Sequence, residues 1–546
     1  MSHADLATIR HYHRLSKHLP ERYAPGPGQL DWKNQPNPFR RFAGSTLLPL
    51  PMARHGGLRY RQLYTPATAP QALTLEALGA LLELGLGLSA WKEIDGSRWA
   101  LRNNPSSGNL HPTEGYVVLL QALSPDMPAG VYHYAPHEHT LEQRAIFGAA
   151  AIAELQALLP GIPALLGLSS VHWREAWKYG ERAFRYCQHD VGHATAALAF
   201  AARTVDWPLH LLYGADDNAI AALLGLDRNA DFADAEHEAP DLLLALGGDP
   251  DDYPERLGIS HLQAVLADSR WQGQANQLSP QHVAWHALQQ VAEASQQMGG
   301  WPTVRLPAAV AAEAASTDDN PDAVMTIRLR RSAVSMDGSS RLTQSQFREL
   351  LQRLMPADTP PWQALPLPPA VSLLLFVHHV QDLAPGLYLL ARGKHHAERL
   401  QQQLRTPHLG WQAVPGYNVP LFCLSHNTDW RDAAQLVSCR QEIAADGALA
   451  VAMLADFDAT LSDIGPGAYR SLFWECGLLG QILYLQAEAA GLSGTGIGCF
   501  YDDLLHRIIG LDLEEEQWQS LYHFTIGGRE EDRRLRSSAA YAHLQR

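Results

Sequence analysis

Three groups of residues have types and spacings suited to chemistry. The first lies in the second half of the chain, which opens with MTIRLRRSAVS (325–335), passes through GTGIGCF (494–500) and closes with GGREEDRRL (527–535). Arginine offers a planar fork of donors that takes phosphate in a bidentate way. A glycine-rich turn lets backbone amides approach a flat ring where side chains would collide. Together they suit a ligand with an anion joined to a ring. The second group is the polar loop NNPSSGNLHPTEG (103–115), set between WALR and the strand-like YVVLL. The third is KYG (178–180), where Lys178 and Tyr179 precede a long helix at its amino end. The helix dipole and apolar surroundings there would lower a lysine pKa toward neutrality, and such a group moves protons. The plain alternative is a surface lysine beside a packed tyrosine.

Other features point less well to chemistry. GTGIG shares glycines with dinucleotide-binding loops, but those need a strand before the motif and a helix opening at it. Here a long helix comes first, so an extended helix C-cap is the simpler reading. Histidines number 26. His133, His137 and His139 cluster in YHYAPHEHT without the carboxylate or cysteine partners of a metal motif. They are expected on a strand–turn–strand surface, with no metal bound. The pairs at 378–379 and 395–396 read as a strand end and a solvated helix. Arg102 and Glu114 flank the polar loop and either hold it or reach a substrate; a supporting role is expected.

Positioning such groups takes a substantial scaffold. The chain has 546 residues, 46% hydrophobic and 18% charged, with a formal net charge of −15. Length suggests two or more domains with an ordinary core. The acidic balance argues against a nucleic-acid partner. Five cysteines, none spaced as CxxC, fit a reducing compartment without a disulfide framework or zinc site. The N-terminal MSHADLATIRHYHRLSKH lacks the apolar stretch of a secretory signal. The longest apolar runs, such as AVSLLLFV (370–377), have strand length. A cytoplasmic protein with no membrane partner is expected.

The chain is doubled. Gly180–Asp227 aligns without a gap on Gly465–Asp512, an offset of 285 residues. Gly180, Ala183, Arg185, Gly192, Leu198, Ala202, Asp217, Gly225, Leu226 and Asp227 recur at matching places. PAGVYHY (128–134) matches APGLYLL (384–390), and LLALGG (243–248) matches HFTIGG (523–528). A repeat of this length means two like domains. Each half mixes amphipathic helices with short β runs, an α+β pattern. Expected are a first domain over 1–265, a helical connector over 266–322 and a second domain over 323–546.

PSSGNLHPTE, KYGERAFR, RRS, GTGIG and the terminal GG…RL resemble the flavin-dependent nitroreductase superfamily, most of all its SagB-type (thiazoline/oxazoline dehydrogenase) branch in a tandem form. The resemblance also takes in YHRLSKHLPERYAPGPGQLDWKNQPNPFRRF and is weakest at 266–322. It implies two nitroreductase-like domains, each a mixed sheet flanked by helices, paired within one chain as a pseudo-dimer with FMN in the groove between them. The first half would supply Pro105, Ser106, Ser107 and Asn109. The second would supply Arg330, Ser332, Gly496, Ile497, Gly498 and Arg534. Arg330, Arg534 and the Ser332 hydroxyl would hold the flavin phosphate, with Val334 where the family is often basic. An amide at Ile497 or Gly498 would meet flavin N5, and Lys178 and Tyr179 would be the acid/base pair.

The complementary set is missing. LHLLY (209–213) stands opposite GTGIG, TPPWQALPLPP (359–369) stands where the polar loop would recur, and Asp463 and Ile464 match Lys178 and Tyr179. One composite FMN site per chain is therefore expected. The implied activity is dehydrogenation or oxidation of an azoline-type ring in a peptide or small natural product, with oxygen or another electron acceptor. The alternatives are an NAD(P)H-dependent nitro or quinone reductase and a flavin-free scaffold subunit. The internal pairing allows a monomer and permits further dimerisation.

Overall fold

The computed structural model describes residues 3–54, 57–68, 72–309, 320–404, 406–532 and 534–544. The α+β expectation is met by two large sheets of the same design, flanked by helices. In the first, the spatial order runs Arg270–Trp271, Thr140–Ile146, Gly130–Ala135, Thr113–Leu119, Ala164–Ser170, Ala239–Leu246, Leu209–Leu211. In the second it runs Gln412–Ala413, Leu421–His426, Gly386–Leu390, Val371–Val377, Leu449–Asp456, Trp518–Gly527, Ser493–Ile497. Strand for strand these are the same path. Their central members, such as VSLLLFV and LAVAMLAD, are apolar throughout because both faces are covered. The strand pairs within the sheets are antiparallel, and the Ser332–Gly494 bridge at the second sheet's edge is parallel. In the region expected as connector, Arg270–Trp271 and Gln274–Ala275 pair with strands of the first half, and the Ala/Gln-rich helix occupies His286–Ala294.

The repeat seen in sequence extends to element boundaries. His172–Tyr179, Ala183–Thr204 and Asp217–Leu224 are helices, and so are Phe457–Ile464, Ala468–Ala489 and Asp502–Ile509, each at the same offset. The two long helices, Ala183–Thr204 and Ala468–Ala489, are buried almost all round and pack on each other. They cross where the repeated glycines meet. A Cβ on Gly192 would stand 2.2 Å from the Trp474 carbonyl oxygen, and one on Gly477 would stand 2.1 Å from that of His189. Only residues without a side chain permit this approach.

Two buried ion pairs pin the crossing on either side, again at repeated positions. Arg185 Nη1 meets Asp502 Oδ1 at 2.6 Å, and Arg470 Nη2 meets Asp217 Oδ1 at 2.7 Å. Each arginine stands on one half and each aspartate on the other. The chain ends are exchanged as well. The N-terminal helix His3–Leu15 bonds to the second half through His13, whose Nε2 lies 3.0 Å from Gln519 Oε1. The C-terminal strand Arg536–Ala539 pairs with Leu88–Ile94 of the first half, whose hairpin partner is Ser97–Arg102. Leu88 N–H donates to Tyr541 Oη at 2.9 Å, and Trp91 Nε1 donates to the Ala540 carbonyl at 2.8 Å. Among the described residues no helix is long and apolar enough to cross a membrane.

The helix crossing is expected to be intolerant of any added carbon. Gly192→Ala should lower stability by about 1–3 kcal/mol through overpacking, read as a fall in the thermal or urea midpoint. An unchanged midpoint would mean the helices do not meet at this glycine.

Candidate functional site

One large cleft, of about 1340 Å³, lies between the halves. Its walls come from the polar loop 105–109, the hairpin 88–102, the segment 328–335, the edge strand Ser493–Ile497 with Gly498 and Cys499, and the crossed-over tail. Of the residues singled out in sequence, Pro105, Ser106, Ser107, Asn109, Tyr179, Arg330, Ser332, Gly496, Ile497 and Gly498 line it. Lys178 stands just behind the loop: a Cβ on Gly108 would lie 3.1 Å from Lys178 Nζ and 2.5 Å from Tyr179 Oη. Arg534 is not brought to the cleft. Its side chain is exposed and held by Asp532 at 2.7 Å, while Asp532 and Leu535 on either side of it line the wall.

The cationic corner is built by the segment 328–331. Arg330 is buried, donates from Nη2 to the Arg102 carbonyl at 2.8 Å, and rests over the Tyr484 ring at 4.9 Å. That bond ties the opening of the second half to the strand leading into the polar loop. Among the described residues Arg330 Nε is buried without a hydrogen-bond partner. Among the described residues Arg331 donates to three carbonyls, those of Arg328, Arg330 and Ser89. Among the described residues neither guanidinium has a carboxylate partner, whereas Arg328 is paired with Glu83. Burial, with repulsion from Arg330 and Arg529 and against attraction from Glu488, lowers the Arg331 pKa to about 10. Lys92 is lowered by burial and by Arg331 and Arg529. An anion here would satisfy the Arg330 Nε and relieve that repulsion. Arg331, Arg529 and Lys92 were missed in sequence because nothing marks which of 42 basic residues converge.

The glycine strand forms the opposite wall. Ser493–Ile497 is the edge of its sheet, and alternate residues of an edge strand turn their N–H and C=O outward. Gly494 and Gly496 are the outward ones: the Gly494 carbonyl accepts from Ala333 N–H at 3.1 Å, and Gly496 N–H donates to Tyr484 Oη at 2.9 Å. Ile497 therefore points its amide into the sheet, toward His523. Gly498 continues the outward set; its carbonyl accepts from Arg182 Nη2 and Tyr186 Oη, each at 3.1 Å. Ser332 Oγ lies 2.8 Å from Tyr484 Oη.

KYGERAFR works differently from its expectation. Lys178 and Tyr179 end the short helix His172–Tyr179 and do not begin the long one, so the amino-end field does not fall on Lys178. The motif's arginines reach across to the glycine strand's end. Arg182 bonds to Gly498 O and to Asp502 Oδ2 at 3.0 Å, and Arg185 bonds to Asp502 Oδ1. Burial works to raise the Asp502 pKa, but Arg182 and Arg185 hold it well below the usual carboxylate range.

Beneath the polar loop lie two buried carboxyls that the sequence did not reveal. Ser106 Oγ bonds to Glu175 Oε1 at 3.3 Å, and Ser107 N–H donates to Asp190 Oδ1 at 3.3 Å. Among the described residues Glu175 Oε2 and Asp190 Oδ2 have no hydrogen-bond partner. Burial raises both pKa values, and Asp190 raises Glu175 further. Burial also raises the Tyr179 phenol, with Glu175 adding to it. Asn109 holds the loop: its Nδ2 donates to the Ala100 carbonyl at 2.8 Å and its Oδ1 lies 3.0 Å from His111 Nε2.

Glu114 is the loop's anchor, as expected, although its main partner is not Arg102. It pairs with Arg174 and lies 3.0 Å from His133 Nε2. The surface reading of the histidine cluster is corrected: His133 and His139 are fully buried, and His133 sits between Glu114 and Glu142. His396 is likewise buried, 2.8 Å from Ser372 Oγ. Among the described residues no cluster of His, Cys, Asp and Glu could hold a metal.

The pseudo-symmetric position holds only about 20 Å³ of free space. Trp362, Leu365, Pro368 and Pro369 of the proline-rich segment fill it. Glu475, the counterpart of Asp190, is satisfied there by Arg392 Nη1 at 2.5 Å and by Ala370 N–H at 2.8 Å.

Comparison with known proteins gives the fold a name. Residues 387–528 match the model of the Nitroreductase family. A protein of Anabaena variabilis designated a nitroreductase superposes with a TM-score of 0.68 at 22% identity, covering 96% of this chain and 99% of its own. The chain has that nitroreductase fold along nearly its whole length. A Ralstonia eutropha protein also designated a nitroreductase matches 41% of this chain and 96% of its own, at 19% identity and a TM-score of 0.27. The E. coli microcin synthetase McbBCD complex with truncated pro-MccB17 bound matches at 19% identity and a TM-score of 0.27, covering 46% of this chain and 95% of that one. A search of the curated proteins finds no match.

The buried Glu114–His133–Glu142 array predicts a pH effect. Burial pushes the His133 imidazole down, but hydrogen bonds to Glu114 and Glu142 bring it up to about 9, from 6.5 when unfolded. A raised pKa contributes stability that is complete below about 6.5 and lost as pH rises through 9. The unfolding midpoint should fall between pH 6.5 and 9.5, and fall less in His133→Gln. Parallel curves for the two proteins would show that His133 is not the titrating group.

Proposed function

We propose that the chain is an FMN-dependent oxidoreductase with one cofactor in the cleft between its halves. It would act as a dehydrogenase or oxidase on an azoline-type ring of a peptide or small natural product. The observation that carries this reading is the meeting of unpaired arginines, an outward glycine edge and the Lys178–Tyr179 pair around one cleft. The nitroreductase fold supports it. A cleft of about 1340 Å³ exceeds the roughly 300–1000 Å³ of common ligand pockets, which leaves room for a substrate beside a cofactor.

Bound FMN supplies a hydride acceptor at N5. Arg330 and Arg331, with Arg529 and Lys92 beside them, would hold its phosphate, and Ser332 would donate to the same group. The Gly498 amide would face the ring. Ser106 and Ser107 would approach from the other half, backed by Glu175 and Asp190. Lys178, whose Nζ stands 5.2 Å from the centre of the Tyr179 ring, would take a proton from the substrate as hydride leaves, and the Tyr179 phenol, held protonated by burial and by Glu175, would donate a hydrogen bond to the substrate. The hairpin 88–102 and the tail docked on it would shield the reacting atoms from water.

The purified protein should be yellow and release FMN on denaturation. Arg330→Ala should weaken flavin retention roughly ten- to hundredfold, the worth of a charge-assisted contact of about 1.5–3 kcal/mol. Arg534→Ala should leave it unchanged, because its exposed pair with Asp532 is screened by solvent. Lys178→Ala and Tyr179→Phe should keep the flavin and slow turnover by about 10²–10⁴-fold. A colourless protein that takes up no added FMN would overturn the reading. Flavin bleached by NADPH alone and not by azoline-containing peptides would replace the dehydrogenase with a reductase.

A further inference from the structure

The five cysteines include one pair that the fold brings together from positions 60 residues apart. Cys499 follows Gly498 directly and lines the cleft. Cys439 stands on the turn after the helix Arg431–Val437, and its sulfur lies 2.9 Å from that of Cys499. The approach is fixed by the backbone on both sides. Tyr501 N–H donates to the Val437 carbonyl at 2.8 Å, and Gln441 Nε2 donates to the carbonyls of Ser438 and Cys499, each at 2.9 Å. Cys439 and Arg440 both take positive φ, 53° and 60°, which L residues adopt only when their surroundings require it.

The surroundings suit a thiolate. His18 Nδ1 accepts from Ala24 N–H at 2.9 Å, so the neutral ring carries its proton on Nε2, on the side left for Cys499. The hydrogen bond from Cys439 pulls the Cys499 thiol down, and His18 and Arg182 add to this against burial. Asp502, whose charge raises the Cys439 thiol, is itself paired with Arg182 and Arg185. Cys187 and Cys476 lie in the core, and Cys423 is raised by burial. Both members of the pair are only partly buried.

We propose that Cys439 and Cys499 are a redox-active dithiol that exchanges with low-molecular-weight disulfides, with Cys499 as the attacking sulfur. The step balances without any group in the cleft and does not depend on what binds there. Cys499 sulfur attacks a disulfide RSSR; a Cys499–SR bond forms and RS⁻ leaves with the proton from Cys499. Cys439 sulfur then attacks Cys499 sulfur, loses its own proton, and displaces the second RS⁻. Two electrons and two protons pass from the pair to RSSR, giving one Cys439–Cys499 bond and two RSH. Oxidation would join the 437–441 turn to the cleft wall at the residue next to Gly498.

The test uses the reduced full-length protein, incubated under native conditions with oxidised glutathione, acid-quenched, alkylated and mapped by mass spectrometry. The expected product is a Cys439–Cys499 linked peptide, reversed by dithiothreitol, with Cys187, Cys423 and Cys476 alkylated. Cys439→Ser should retain glutathione on Cys499 as a stable adduct, and Cys499→Ser should leave Cys439 unmodified. Full alkylation of both sulfurs in the wild-type protein would overturn the proposal. A glutathione adduct on Cys439 in Cys499→Ser would overturn the choice of attacking sulfur.

Discussion

The constraint on which this structure rests is the close approach of two long helices at Gly192 and Gly477. Neither helix could lie so near the other with a Cβ at the crossing. Two buried ion pairs, Arg185–Asp502 and Arg470–Asp217, then fix the halves in rotation. A buried pair is a weak source of net stability, since its attraction must offset the desolvation of both ions. Its cost falls on every misaligned arrangement, where four charges would be buried without partners. The exchanged chain ends extend the same joint: the first helix lies on the second half, and the last strand lies on the first.

From that symmetric joint the two grooves diverge by identifiable substitutions. Arg182, which holds the Gly498 carbonyl and the Asp502 carboxylate, has Gly467 as its counterpart, and Gln297 occupies that space. Tyr186 stands opposite Ser471, Tyr179 opposite Ile464, and Asp190 opposite Glu475. At the open groove Asp190 keeps an unpartnered oxygen; at the filled one Glu475 is clamped by Arg392 and a backbone amide. The proline-rich segment closes the second groove with apolar side chains where the first carries a polar loop. Symmetry is thus kept at the joint and given up at the pockets, because a joint needs self-complementary surfaces and a pocket needs two different walls.

The open groove holds buried polar atoms that its own residues do not satisfy. Among the described residues Arg330 Nε on one wall, and Glu175 Oε2 and Asp190 Oδ2 on the other, have no hydrogen-bond partner, although Glu488 lies within electrostatic reach of Arg330 and Lys178 of Glu175. Unsatisfied buried groups cost stability, and a bound anion or a hydrogen-bonding ligand in the open groove would relieve that cost.

The sequence by itself determined the doubling, the α+β class and most of one groove's lining. Those rest on local signals: apolar periodicity, repeated glycines, and short motifs whose members lie on one strand or loop. It also carried the joint in plain sight, since Arg185, Asp217 and Gly192 recur in both halves, but it could not say that Arg185 meets Asp502 and not its neighbour Asp217. Only the tertiary structure decided that, along with the convergence of Arg331, Arg529 and Lys92, the burial of His133 and the withdrawal of Arg534. It also turned Gly494 and Gly496 outward, a matter of strand parity set by pairing with Trp518–Gly527. The meeting of Cys439 with Cys499 is of the same kind. Each of these depends on distance through space between segments far apart in the chain, and local spacing holds no record of it.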